Sequence, residues 1–213
     1  MKTDALIAML AHHAEPVPAR AVERRFALAL LYSCPIAVVL MLTVFGLRAD
    51  LMQATGTSTL WVKLGFAGGL ALAAWVVAQR LGRPGVRVGG VWAAVATPLL
   101  LLWLLAATAL LLAEPAQRPE LIFGTTWKSC PFSLALLSAP LLAATLWAMK
   151  GLAPTRLRLA GASAGLLAGA LSALVYALHC PESGVPFVAV WYVLGVALPT
   201  LAGAALGPRV LRW

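Results

Sequence analysis

The residues whose types could support redox or metal chemistry are few: three cysteines and three histidines. Cys130 follows Trp127-Lys128-Ser129 and stands at the start of an apolar run, and Cys180 follows His179 at the end of the next one. The two runs are joined by a 9-residue link, residues 150–158, which makes them antiparallel neighbours with both cysteines at the same end. That placement brings the sulfurs towards bridging range, which requires Cα atoms within about 7 Å. Three chemistries fit: a static disulfide, a redox switch, or a thiolate metal site with His179 as a weak third ligand. There is no CxxC, which argues against a catalytic thiol–disulfide oxidoreductase. Cys34 lies about nine residues into a different run, from its opposite end, and reads as a small core residue. His12 and His13 are adjacent, point to different faces of a helix and make a poor metal pair. No cofactor is expected.

The elements that must hold these residues are membrane spans. The chain has 213 residues, 62% of them hydrophobic and 11% charged, against about a quarter charged in a soluble domain. Uncharged runs cover residues 26–47, 89–113, 129–149, 159–178 and 183–208. Each is long enough to cross a bilayer as a helix, which takes roughly 20 residues, and none alternates as a barrel strand would. A sixth run, 60–79, contains Lys63 close to one end beside Trp61, from where its ammonium is expected to snorkel to the interface. The expected fold is all-α: a short cytoplasmic N-terminal segment (1–25), a six-helix transmembrane bundle (26–208, spans near 26–47, 60–79, 89–113, 129–149, 159–178 and 185–207) and a tail (209–213).

Charge placement orients the bundle. With both ends inside, the cytoplasmic side carries 12 of the 16 Lys and Arg residues, among them Arg20, Arg24, Arg25, Arg80, Arg83, Lys150, Arg156 and Arg158. This is the positive-inside pattern, and it places both termini in the cytoplasm and Cys130 and Cys180 on the outer face. The formal net charge of +9 then reflects topology and contact with anionic lipid, so direct nucleic-acid binding is not expected. Twenty-five residues precede the first run, which is too long for a signal-peptide core.

In the N-terminal segment, Thr3 or Asp4 can cap a helix in which Leu6, Ile7 and Leu10 form an apolar stripe. Pro16 and Pro18 end it, and Arg20–Arg25 form a basic anchor. The segment reads either as a membrane-lying tail or as a docking helix for a partner's groove. Glycines recur at four-residue spacing: Gly161, Gly165 and Gly169; Gly65 and Gly69; Gly195, Gly203 and Gly207. Such faces let helices approach closely in lipid. Trp61, Trp127, Trp191, Tyr192 and Trp213 fit an interfacial aromatic belt.

Apart from Lys63 the spans carry no ionisable acid or base at mid-membrane depth, which weakens the alternative of a small transporter or channel. A membrane thiol–disulfide oxidoreductase would need an activated cysteine and a redox partner. No Walker loop, HExxH or GxGxxG is present, and the chain is not expected to be an enzyme.

Several segments carry a resemblance. Met1–Ile7, Pro16-Val17-Pro18 and Arg24-Arg25, then Trp127-Lys128-Ser129-Cys130 with Leu137-Ser138-Ala139-Pro140, resemble the NrsF family of negative regulators of sigma F. The stretch Ala177–Ser183, with Phe187 and Trp191-Tyr192, is the most specific part. The resemblance implies a bacterial inner-membrane anti-sigma factor that holds an extracytoplasmic-function (ECF) sigma factor inactive and releases it under stress. It further implies that Cys130 and Cys180 are the sensing residues and that residues 1–25 contact the sigma factor, with Asp4, Leu6, Ile7 and Leu10 as candidate contacts. Cys34 lies outside the family pattern.

Overall fold

A computed structural model describes residues 20–86 and 89–212, together with Thr3, Ile7 and Met9. The expected contacts Asp4, Leu6 and Leu10, and the pair His12–His13, lie outside the described residues. Thr3, Ile7 and Met9 are helical, and Ile7 is 59% exposed.

The described residues form helices and no strands. Six helices are long and apolar enough to cross a membrane: α1 (Ala21–Val44), α3 (Ser58–Leu81), α4 (Val91–Leu112), α6 (Cys130–Lys150), α7 (Leu157–Tyr176) and α8 (Val185–Val210). Two short helices, α2 (Leu51–Ala54) and α5 (Arg118–Phe123), lie in the links before α3 and α6. The first span starts earlier than the charge-free run implies. Arg24 and Arg25 are already helical, because polar side chains fit the first turns of a helix whose apolar part follows.

The centre of the bundle is α7, 67% of whose apolar window is buried; α8, α6 and α3 pack around it, and α4 is the most peripheral span. The α7–α8 contact is made by glycines. A Cβ on Gly161 would overlap the Gly203 carbonyl, and one on Gly165 would overlap the Pro199 carbonyl. A Cβ on Gly169 would lie 3.0 Å from the Val196 carbonyl oxygen. The backbones touch because no side chain separates them. The other glycine face differs. Nothing lies within 4 Å of a Cβ built on Gly65, and Gly69 faces Pro98 across an open apolar cleft between α3 and α4. Gly195 packs on Leu134 of α6 rather than on α7.

The string Gly161-Ala162-Ser163-Ala164-Gly165 has the GxSxG spelling of a nucleophile elbow, but that motif needs a strand-to-helix turn. Here it lies within α7, and the Ser163 hydroxyl is spent on the Ala160 carbonyl at 2.8 Å.

One turn of α8, Val188–Tyr192, is π-helical. The extra residue re-aims the side chains after it and leaves a carbonyl free of its usual partner. The Trp103 indole of α4 donates to the Ala189 carbonyl at 3.2 Å, so the π turn is also where α4 is tied to the bundle.

Candidate functional site

The cysteine end is built from four elements. Cys130 is the first residue of α6, and its amide closes a turn on the Thr126 carbonyl at 3.0 Å. Pro131 follows, at a position where its missing N–H costs nothing and its fixed φ suits the helix start. Cys180 ends the turn that terminates α7: the amides of His179 and Cys180 both donate to the Tyr176 carbonyl at 3.0 Å. Both thiols are free and both are 0% exposed. They belong to one apolar cluster with Leu134, Leu137, Tyr176, Phe187 and Tyr192. Cys34 belongs to a different neighbourhood, beside Ala37, Leu141 and Ala168.

Two tyrosines frame the thiols. The Tyr176 hydroxyl lies beside Cys130 and Ser133, and the Tyr192 hydroxyl lies beside Cys180. Their rings are 5.8 Å apart. Tyr192 is fully buried, so it is a core residue and not part of an interfacial belt. Trp127 and Trp191 are also drawn into packing, 5.1 Å apart, with Phe123 against both. The Trp191 indole donates to the Ile122 carbonyl at 2.8 Å. Trp61 is 63% exposed, and its indole donates to the Thr55 carbonyl at 3.0 Å.

His179 turns away from the sulfurs: its Nδ1 is 3.0 Å from the Gly46 carbonyl, and its ring packs on Phe45. Among the described residues, no group of three or more His, Cys, Asp and Glu side chains is placed to hold a metal ion.

Lys63 departs most from the sequence expectation. It does not snorkel to the interface. It is 1% exposed, its Nζ donates to the Cys180 carbonyl at 3.1 Å, and it sits 5.7 Å from the centre of the Tyr192 ring. The same carbonyl accepts from Arg48 Nη1 at 3.2 Å. Arg48 is held in place by a two-point pair with Asp50, Nε–Oδ1 at 2.8 Å and Nη2–Oδ2 at 2.6 Å. The sequence shows Lys63 beside Trp61 but not what α7 and α8 place around it, and those helices supply the acceptors that make burial tolerable.

Glu182 latches the two cysteine-bearing segments together. One of its oxygens accepts from the amides of Thr125 and Thr126 at 2.8 and 2.9 Å and from their hydroxyls at 2.7 and 3.0 Å. Partial burial disfavours the charged carboxylate, but these hydrogen bonds outweigh it and hold the carboxyl below its ordinary value. The latch therefore contributes stability above the ordinary glutamate value of about 4.3 and loses it as the pH falls through the lowered one. Glu182→Gln should cost about 1–2 kcal/mol at neutral pH, a modest figure because the group is partly exposed. It should also flatten the loss of thermal stability as the pH falls below about 4.3. An unchanged acid profile in the variant, measured by thermal unfolding in detergent, would show the latch to be silent.

The opposite end of the bundle is basic. Arg25 lies over the Trp147 ring at 5.3 Å and against Gly151, Arg83 pairs with Glu23 at 3.7 Å, and Arg212 sits by Pro154 and Thr155. The thiols and the cationic end are thus separated by the length of the spans.

The profile of the family described as negative regulator of sigma F, NrsF, matches residues 10–213. The chain belongs to the NrsF family. A probable anti-sigma-F factor NrsF from Azospira oryzae is 49% identical over the full length of both chains, and the anti-sigma-F factor NrsF from Caulobacter vibrioides is 37% identical, again over all of both. No solved structure matches. The NrsF membership therefore rests on sequence similarity across the whole bundle, including both cysteine segments.

Proposed function

We propose that this chain is a membrane-embedded anti-sigma factor, as the names of its relatives suggest, and that its buried thiol pair controls its grip on a sigma factor. The sigma factor is of the ECF type, and the bundle resides in a bacterial inner membrane. Both termini and the basic end face the cytoplasm, where Lys and Arg are favoured and anionic headgroups attract them. The cysteine end faces the outer, oxidising compartment.

The observation that carries the sensing part is the convergence of two free, fully buried thiols in one cluster at the end opposite Arg25, Arg83 and Arg212. Reduced, Cys130 and Cys180 pack as small apolar side chains. An oxidant from the outer compartment takes two electrons from the pair, two protons leave, and a disulfide forms. The new bond forces Leu134, Tyr176 and Tyr192 to repack. The glycine face lets α7 shift along α8 without side chains to ratchet past, and α6, which packs on α7, carries the change to α1 through Arg25 on Trp147. The helix that follows Asp4, with the stripe Leu6, Ile7 and Leu10, then presents a changed surface to the sigma factor. The exposure of Ile7 supports this reading, because the bundle has not consumed that part of the stripe.

A coupling of about 1–3 kcal/mol would change sigma affinity roughly 5–150-fold. A disulfide contributes on the same scale, about 2–4 kcal/mol. The Cys130→Ser/Cys180→Ser variant should keep unstressed transcription repressed and abolish the induction that an oxidant evokes. Normal induction of the sigma target genes in that strain would remove the thiols from the account.

A further inference from the structure

At the basic end, α1 and α3 leave a groove between them. Arg20, Glu23, Arg24 and Ala27 supply one wall at successive turns, and Trp75 and Gln79 supply the other from the last part of α3. The groove encloses about 590 Å3, in the range of small-molecule sites. Its two ends differ in character. Because α1 enters the bundle from Arg20 and α3 leaves it towards Leu81, Arg20, Arg24 and Gln79 lie at the rim, and Ala27 and Trp75 lie deeper. Leu31 follows Ala27 by four residues and Leu72 precedes Trp75 by three, so both continue their walls at helical spacing. Both are exposed, which extends the groove as apolar surface towards the middle of the spans. Trp75 is set edge-on against Phe26, with the ring centres 5.8 Å apart.

The charges at the rim are unfavourable for α1 by itself. Arg20 and Arg24 are four residues apart, where like charges repel, and they stand at a helix start, where the macrodipole disfavours cations. Both are exposed, and neither has a side-chain partner among the described residues. Glu23, the carboxylate of the groove, pairs with Arg83 of the link after α3 at 3.7 Å. The other described carboxylates, Asp50, Glu114, Glu120 and Glu182, lie in links at the cysteine end. The rim is thus net positive, with two planar guanidinium forks and the Gln79 amide as donors. We propose that this groove binds one anionic phospholipid, its phosphodiester held by Arg20, Arg24 and Gln79 and an acyl chain laid past Ala27 and Trp75 onto Leu31 and Leu72. Arginine pairs with phosphate oxygens two at a time, and an anion here offsets both the repulsion and the dipole. A free phosphate matches the rim only; a phospholipid matches the rim and the apolar walls. Such a site is narrower than the attraction of any basic surface to anionic lipid, which has no preferred pair of arginines. The bound headgroup ties the first turn of α1 to the leaflet at the point where residues 1–19 join it.

The site needs only a bilayer around the bundle and no sensing by the thiols, so it stands or falls apart from the regulatory reading. The purified full chain, in a neutral detergent, is titrated with phosphatidylglycerol or phosphatidylcholine carrying dansyl on an acyl chain. Energy transfer from the tryptophans reads binding. The parent should prefer the anionic lipid by about tenfold or more, because each cation beside an anionic headgroup contributes severalfold. Arg20→Gln/Arg24→Gln should lose that preference. Arg156→Gln/Arg158→Gln should keep it, being an equal change of charge at exposed residues of the same end outside the groove. Equal binding of the two lipids by the parent overturns the proposal, and that measurement stands even if a variant does not accumulate. Equal losses in the two double variants overturn it as well, since they mark a general effect of charge. So does displacement of the lipid by inorganic phosphate at constant ionic strength, which marks a site for a free anion.

Discussion

Deletion of residues 1–15 should turn target transcription on without any stress. The expected rise is at least the roughly 5–150-fold range of an ordinary allosteric coupling, since the contact itself is lost and not merely weakened. The bundle begins at Ala21 and its packed core at Phe26, so the truncated chain should still accumulate in membranes. The segment removed carries the stripe Leu6, Ile7 and Leu10, of which Ile7 is more than half exposed. An apolar side chain left in the open on a helix is what a groove-docking segment offers before its partner arrives. Transcription is read with a reporter under the sigma target promoter, alongside the membrane fraction's sigma content. Full repression by the truncated chain would mean that the docking surface lies elsewhere, most directly on the basic links between spans.

The second large effect belongs to the helix contact at the centre of the bundle. Gly165→Leu should prevent accumulation of the folded protein. A Cβ at Gly165 already overlaps the Pro199 carbonyl and crowds the Thr200 Cα at 2.8 Å, and both are backbone, which cannot rotate away. The helices α7 and α8 would have to part, at a cost of about 3 kcal/mol or more, the upper end for overpacking. Gly65→Leu is the matched control. Nothing lies within 4 Å of its Cβ, and the new side chain enters the apolar cleft between α3 and α4. It should accumulate as the parent does. Equal loss of both variants, measured as folded protein in the membrane fraction, would show that glycine identity and not close approach matters.

The contrast between these glycines shows what sequence pattern carries and what it leaves open. Four-residue spacing marks a smooth face on a helix, and Gly161, Gly165 and Gly169 have that face against α8. Gly65 and Gly69 have the same spacing, yet their face looks onto an open cleft. Spacing describes one helix; what meets the face is decided by the arrangement of the others. The spans were legible because hydropathy over about 20 residues is a local property. The thiol end was legible in outline, since a short link forces its two flanking spans to be neighbours. Lys63 and Tyr192 were not. One reads as a snorkelling lysine and the other as a belt tyrosine, because each sits near a span end with an apolar stem and a polar tip. Their burial follows from the π turn at Val188–Tyr192 and from the Cys180 carbonyl beside α3, neither of which has a sequence signature. The Glu182 latch was missed for a similar reason: Thr125 and Thr126 are unremarkable residues until the chain reversal sets their four donors around one oxygen.

Sigma release from the membrane upon oxidation of the outer face tests the central claim most directly. Spheroplasts carrying the full chain with its bound sigma factor are exposed to an oxidant, alkylated to trap the thiol state, lysed and fractionated. Sigma should move from the membrane to the soluble fraction as the Cys130 and Cys180 thiols disappear, and it should stay bound in Cys130→Ser/Cys180→Ser spheroplasts treated alike. Sigma that remains on the membrane after both thiols have been oxidised, or that leaves equally from the serine variant, would contradict the account.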